Sequence, residues 1–414
     1  MTLSREEQFC VYLHDRLVGH LHRRDDVTRF VFASDYWSNP NRAVLGLRFE
    51  ENPRERHRAN MRLPPWFSNL LPEGRLRDWI ADAGKISVKR EMELLAQVGH
   101  DLPGAVRVLP SEQVVPVDLS GEDADRHSLG VARAGLWSFS LAGVGLKFSM
   151  LDKGDRLVVP GVGEGGDWIL KMPDPSYPSV PHNELAMMTL AGAAGIEIPE
   201  VRLLHRDQFV GLPDRVWSKE DYAYAVRRFD RGLGRAAIHI EDMAQVRGVY
   251  PDADGSSPGK YSGSFETIGA LLYRGLDTPA LQEFTRRLAF NVLIGNGDAH
   301  LKNWSLIYRN PHTPTLAPAY DLVATFVYRP PELGPENMGL RFGRSRRFED
   351  VRLGTFDALD KKLAAKAELA DVVRTLVGRV LEEWPKAASL LADRPDLCYP
   401  IQRLVKERAA QLLS

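Results

Sequence analysis

Apolar and polar positions alternate near the start of the chain. In FCVYLHDRLVGHLHRR, Val11 and Leu13, then Val18 and Leu21, flank a polar turn at His14–Arg16. This period-two pattern predicts a β-hairpin. RFVFASDYW predicts a third strand, NPRERHRANMRLPPWFSNLLPEG a Pro-rich loop, and the apolar spacing from Arg75 to Val98 a helical segment. After a polar connector around 111–130 come LWSFSLAG, KFSML, RLVVPG and DWILKMP, short runs punctuated by Gly and Pro that predict a small antiparallel sheet. HNELAMMTLAGAAG predicts a helix over 182–195 with Gly195 as its C-cap. EVRLLHRDQFVGLP and YAYAVRRFDR return to strands, and beyond Ile238 the spacing is helical almost to the end. TPALQEFTRRLAFNVLIG and LADVVRTLVGRVLEEWPKAASLLA are the clearest cases. The pattern thus predicts a mixed β domain over 1–112, a β-rich lobe over 130–234 and a helical lobe over 235–414, with no internal repeat.

Composition narrows the class. The chain has 414 residues, 44% hydrophobic and 26% charged, which are ordinary globular values. A formal net charge of −1 supplies no field toward DNA or membrane, so a nucleic-acid role would need a local patch or a partner. The run Arg54, Arg56, His57, Arg58 reads as a solvated face. Cys10 and Cys398 sit at opposite ends, without metal-ligand spacing, as suits a reducing cytoplasm. The first residues lack the apolar core of a signal peptide, and AMMTLAGAAGIEIP is too short and interrupted to span a bilayer. The expected location is cytoplasmic.

The stretch NVLIGNGDAHLKNWSLIY places Asn296, Asp298, His300, Lys302 and Asn303 between two apolar runs. Burying such groups without partners costs a few kcal/mol each, so a purely structural loop would rarely hold so many. Asp298 and Asn303 have the Asp-x4-Asn spacing of a kinase catalytic loop, in which the Asp receives the hydroxyl proton and the Asn oxygen binds Mg²⁺. Asp321, in LAPAYDLVATF, stands where kinases place a metal-chelating Asp, with a helix N-cap as the lesser alternative once Asp298 and Asn303 are considered with it. Lys171 ends the apolar run of DWILKMP, as the phosphate-binding lysine of a kinase strand does, and Glu184 in the next helix is a candidate to hold it. Ala142, Gly143, Val144 and Gly145 make a small-residue loop whose backbone N–H groups could approach phosphates. GSSPGKYSG falls one residue short of a Walker A loop and reads as a loop near the active site.

The order of these elements resembles the HipA family of bacterial serine/threonine kinases, the toxins of HipBA-type toxin–antitoxin modules. NGDAHLKNWS, LAPAYDL, SLAGVGLKFS, ILKMP and AVRRFDR match its catalytic, metal, phosphate-loop, lysine and hinge motifs, and FSNLLPEG and VGHDLPGAVRVLP its N-terminal domain. The resemblance implies an α+β, protein-kinase-like two-lobe fold behind a small mixed β domain. It makes Asp298 the catalytic aspartate and Asn303 and Asp321 the Mg²⁺ ligands. His300, Leu301, Lys302, Asn303 and Tyr320 would line the nucleotide, with Ala142, Gly143, Val144, Gly145, Leu146 and Lys147 as the loop over ATP and Lys171 on its phosphates. Arg227, Arg228 and Phe229 would form the adenine hinge, and Ser140 would be the site of self-inactivating autophosphorylation. The family archetype has an acidic residue at Arg227 and polar residues at Gly145 and Leu146, so backbone contacts survive there and side-chain contacts change. The implied partners are a HipB-like DNA-binding antitoxin, with DNA contacted through it, and an aminoacyl-tRNA synthetase as substrate. Two other readings compete: a small-molecule kinase of the aminoglycoside or choline type, whose loop GDAHLKN also satisfies, and a non-catalytic corepressor module. In the latter, Arg341, Arg344, Arg346 and Arg347 could touch DNA, although a solvated loop is the better reading of them.

Overall fold

The opening hairpin forms as its alternation predicts, with Glu6–Leu13 antiparallel to Arg16–Arg24 across a turn at His14 and Asp15. The computed structural model describes residues 6–111, 146–154, 156–160, 165–212, 216–217, 219–252 and 258–414. Val27–Phe32, Arg58–Asn60 and Val106–Pro110 complete a five-stranded antiparallel sheet. The helical segment after Arg75 is two helices, Gly74–Gly84 and Glu91–Val98, because Lys85 turns left-handed (φ 52°) at the first C-cap. Ser140 and Ala142 to Gly145 lie outside the described residues, as do the connector and LWSFSLAG.

A second sheet has the spatial order Phe209–Val210, Leu157–Val158, Lys147–Asp152, Trp168–Lys171, Tyr222–Arg227, Val201–His205. Its two faces serve different cores, because successive strand side chains point to opposite sides. Ala223 and Ala225 join Phe148, Met150 and Leu170 in the apolar core that also holds Trp66, Phe67 and Leu95 of the N-terminal section. Tyr224 and Val226 face the helix Val180–Ala193 and the core of the helical lobe. Trp79 meets Phe148 edge-on at 5.4 Å across the first of these seams.

The helical lobe is organised by Thr278–Ile294. Asp277 caps its start by accepting from Ala280 N at 3.0 Å, Pro279 occupies its first turn, and Gly295 ends it in the left-handed region (φ 63°). Leu281, Phe284, Leu288 and Val292 give it a buried stripe. Leu369–Leu390 and Pro395–Leu413 pack around it. The purely helical expectation fails at three places. His239–Asp242, Ser305–Tyr308 and Thr315–Leu316 form a small sheet, and Asn337–Phe342 pairs with Ser345–Arg347. These strands are short, below the length at which period two can be told from 3.6. Arg346 donates to the carbonyls of Met338 (3.0 Å) and Gly339, so its guanidinium braces this hairpin and is committed there. A Cβ at Gly339 would lie 2.7 Å from the Ala299 carbonyl, so the hairpin rests directly on the backbone of the loop that carries Asp298 and His300. Among the described residues no helix is long and apolar enough to cross a membrane.

His22 is fully buried in the second strand, and neither ring nitrogen has a hydrogen-bond partner among the described residues. Burial, reinforced by the charges of His20 and Arg29, lowers its pKa to about 4. The unfolded chain therefore binds a proton that the folded chain refuses between about pH 6.5 and 4, and stability drops as pH falls through that window. We expect His22→Leu to lose less melting temperature than wild type between pH 7 and pH 5. Parallel pH slopes in thermal unfolding would assign the acid sensitivity to other groups.

Candidate active site

The loop between Ile294 and Ser305 is held open by its own polar groups. Asn296 accepts from Asp298 N (3.1 Å) and donates to Asn291 Oδ1 (2.7 Å) and Asp321 O (3.3 Å), tying the loop to the helix behind it and to the next motif. Gly297 N donates to Thr325 Oγ1 at 2.8 Å. Asn303 Nδ2 donates to the Asp298 carbonyl at 2.8 Å, which fixes the two residues relative to each other. The Asp298 side chain is 53% exposed and so open to an incoming group. His300 is buried, and burial lowers its pKa to about 4, so its ring is neutral near pH 7.

Across the cleft, Lys171 ion-pairs with both Glu184 and Asp321. Burial disfavours the ammonium, but the two carboxylates outweigh it and raise the Lys171 pKa. Asp321 is held well below the usual carboxylate range in the same way, with Lys147 (3.7 Å) and Lys171 overcoming burial. Asp321 has φ 55°, a left-handed conformation that costs a non-glycine residue about 1 kcal/mol or more. It caps no helix, and its carboxylate points into the cavity. Lys147, Lys171, Asn303 and Asp321, together with Arg227, Phe229, His300, Lys302 and Tyr320, line one cavity. A second groove shares Lys147, Lys171, His300, Asn303 and Asp321 and extends past Leu146 and Asp298 to Tyr328 and Glu336.

Some expected residues are placed differently. Leu301 is fully buried in the helical core and does not reach the cleft. Arg228 faces the cavity but its guanidinium is fully buried, 2.9 Å from Asp101 and doubly bonded to Asp230 at 2.9 Å. That leaves backbone for a ligand at this position, while neighbouring Arg227 is exposed beside Glu200. Lys302 donates to Asn69 O (2.8 Å) and lies 3.2 Å from Glu73 Oε1 and 3.6 Å from Asp242, so its charge is already matched. Tyr320 donates to Lys302 O at 2.8 Å and tilts over Phe229 with centroids 5.6 Å apart.

Asn69 and Glu73, which belong to the N-terminal section and carry no motif that marks them, also line the cavity. Burial works against the Glu73 carboxylate, but Lys302 and Lys260 (2.6 Å) outweigh it and hold its pKa at about 2. The available signal was FSNLLPEG, an Asn and a Glu set in an otherwise apolar and turn-forming stretch. Among the described residues no three His, Cys, Asp or Glu side chains converge on a metal position. The oxygen donors of Asp321 and Asn303 still suit a hard cation such as Mg²⁺, which keeps several waters and takes further ligands from phosphates.

Two family models match the chain. The HipA N-terminal domain matches residues 9–109 and the HipA-like C-terminal domain residues 139–384. The candidate kinase Y4dM of Sinorhizobium fredii is 41% identical over 409 residues, 93% of this chain and 94% of that protein. The serine/threonine-protein kinase toxin HipA of Shewanella oneidensis is 24% identical over 353 residues, 79% of this chain and 77% of that protein. A solved complex of Shewanella oneidensis HipA, HipB and operator DNA contains a chain with the same fold, at a TM-score of 0.73 and 19% identity, covering 98% of this chain and 97% of that one. The protein-kinase-like two-lobe architecture read from the motif order is therefore the fold, and this chain belongs to the HipA family of kinases.

Proposed function

We propose that this chain is a serine/threonine protein kinase that transfers the γ-phosphoryl group of MgATP to a protein hydroxyl. The observation that carries this reading is the pairing of Lys171 with Glu184 and Asp321 in the same groove that Asp298 and Asn303 line. Asp298 accepts the proton of the acceptor hydroxyl as that oxygen bonds to the γ-phosphorus and the bond to the β,γ-bridging oxygen breaks. Lys171 and Lys147 offset phosphate charge, and backbone at Arg227–Phe229 faces the base. Asp321 and the Asn303 amide oxygen would hold Mg²⁺, which when bound neutralises the charge that develops on the phosphates.

By family, the target is a cytoplasmic protein of the aminoacyl-tRNA synthetase class, and the effect arrest of translation. A HipB-like antitoxin would neutralise the chain and supply the DNA contact. The commitment of Arg346 to its own hairpin agrees with DNA being met through such a partner. Ser140 would take a phosphate in cis. A group of about −2 charge there would repel the nucleotide's phosphates and switch the enzyme off.

The test is incubation with labelled ATP and Mg²⁺ followed by mass-spectrometric mapping, with phosphate expected on Ser140. Nucleotide binding without incorporation into any protein would favour a small-molecule acceptor. Asp321→Ala should abolish the Mg²⁺ dependence of ATP binding. Identical titrations of wild type and variant in Mg²⁺ would remove Asp321 from that role.

A further inference from the structure

The segment GSSPGKYSG, read from its sequence as a loop near the active site, brings its described residues to Asp298 itself. Its described part, from Pro258 on, forms a turn over Gly259–Tyr261. Lys260 is buried, with Nζ 2.6 Å from Glu73 Oε2 in the N-terminal section. Tyr261 follows directly. Its ring stands edge-on to His300 with centroids 5.1 Å apart, and its hydroxyl donates to Asp298 Oδ1 at 2.5 Å.

We propose that Tyr261 is a positioning residue for the Asp298 carboxylate, presented to it by the Glu73–Lys260 ion pair. The inference rests on the reading of Asp298 as the proton acceptor. An aspartate's terminal torsion is broad, so a half-exposed carboxylate samples many orientations. One hydrogen bond to Oδ1 selects among them, and a carboxylate has lone pairs enough to leave Oδ2 for the acceptor hydroxyl. Among the described residues Tyr261 supplies the only hydrogen bond to this carboxylate; His300 Nε2 stands further off, 3.8 Å from Oδ1. The phenol is itself fixed at two points, through its neighbour on Glu73 and through its ring on His300. Burial and the Asp298 charge push its ionisation well above the ordinary value, so it stays a donor throughout the working pH range. The N-terminal section thereby reaches the catalytic carboxylate through Glu73, Lys260 and Tyr261 in series.

Tyr261→Phe keeps the ring and removes only the hydroxyl. In the full chain, ADP release from MgATP with dephosphorylated casein as acceptor should show kcat lower by roughly 10- to 100-fold, the range a misplaced reacting group produces. KM for ATP and the melting temperature should stay at wild-type values. In an Asp298→Asn background, whose residual rate comes from binding and electrostatics alone, adding Tyr261→Phe should change nothing further. Unchanged or raised kcat in the single variant would overturn the proposal, the raised value making the phenol a block. Equal losses in both backgrounds would also overturn it, since Tyr261 would then not act through Asp298. A wild-type rate in Asp298→Asn alone would exclude Asp298 as proton acceptor and remove this proposal with it, leaving the kinase reading in place.

Discussion

Asp298→Asn should lower the rate of phosphoryl transfer by about 10²–10⁴-fold, the range attributed to general acid–base assistance, while leaving nucleotide affinity intact. The two effects separate because Asp298 is not among the groups that face the phosphates. The groups proposed to meet the phosphates are Lys147 and Lys171, which form a charge cluster of their own with Glu184 and Asp321. The asparagine keeps the backbone that Asn303 and Asn296 hold, through the carbonyl and amide of residue 298, so the loop should keep its shape. Phosphate incorporation and equilibrium binding of a fluorescent ATP analogue, measured on the same preparation, check both halves. A variant that transfers phosphate at the wild-type rate would exclude Asp298 as proton acceptor. A variant that also stops binding nucleotide would show that the loop had collapsed.

Arg228→Met should destabilise the protein by about 3–5 kcal/mol, the cost of leaving a buried ion pair without one partner. The four charges Asp101, Arg228, Asp230 and Arg231 balance in the native state. Arg228 lies 2.9 Å from Asp101 and from Asp230, and Arg231 bonds both acids at 3.0 Å. Burial penalises the Asp230 carboxylate, but Arg228 and Arg231 hold its pKa at about 2. Gly104 N adds a hydrogen bond at 2.7 Å. Removing Arg228 leaves two carboxylates facing a single guanidinium, in the seam between the N-terminal section and the second sheet. Arg227→Met is the control, since its side chain is 61% exposed and a change there should stay within about 0.5 kcal/mol. Urea unfolding of the two variants would decide. Equal midpoints would mean that the network carries little of the stability of that seam.

These adjacent arginines show where sequence reading stops. Period two places neighbours on opposite faces of a strand, but both faces of this sheet are covered, one by the helical lobe and one by the N-terminal section. Pattern alone therefore leaves undecided which arginine meets solvent. The short strands at His239–Asp242 and Asn337–Phe342 escaped for a related reason, being too brief to establish a period.

What the sequence determined by itself was local. Asn296, Asp298, His300 and Asn303 lie within eight consecutive positions, so their spacing already carries their mutual geometry. The helix ahead of them is likewise written in its own caps, Asp277 and Gly295. Only the tertiary structure brought Lys171 to Asp321 across 150 positions, and Asn69 to Lys302 across 233. It also decided that Lys302 would be neutralised by Glu73, that Leu301 would turn into the core, and that Tyr261 would reach Asp298. The physical reason is common to all of these. Short-range backbone preferences and hydrogen bonds act within a few residues, whereas the partner of a buried charge is chosen by which surfaces pack together, and packing depends on the whole chain.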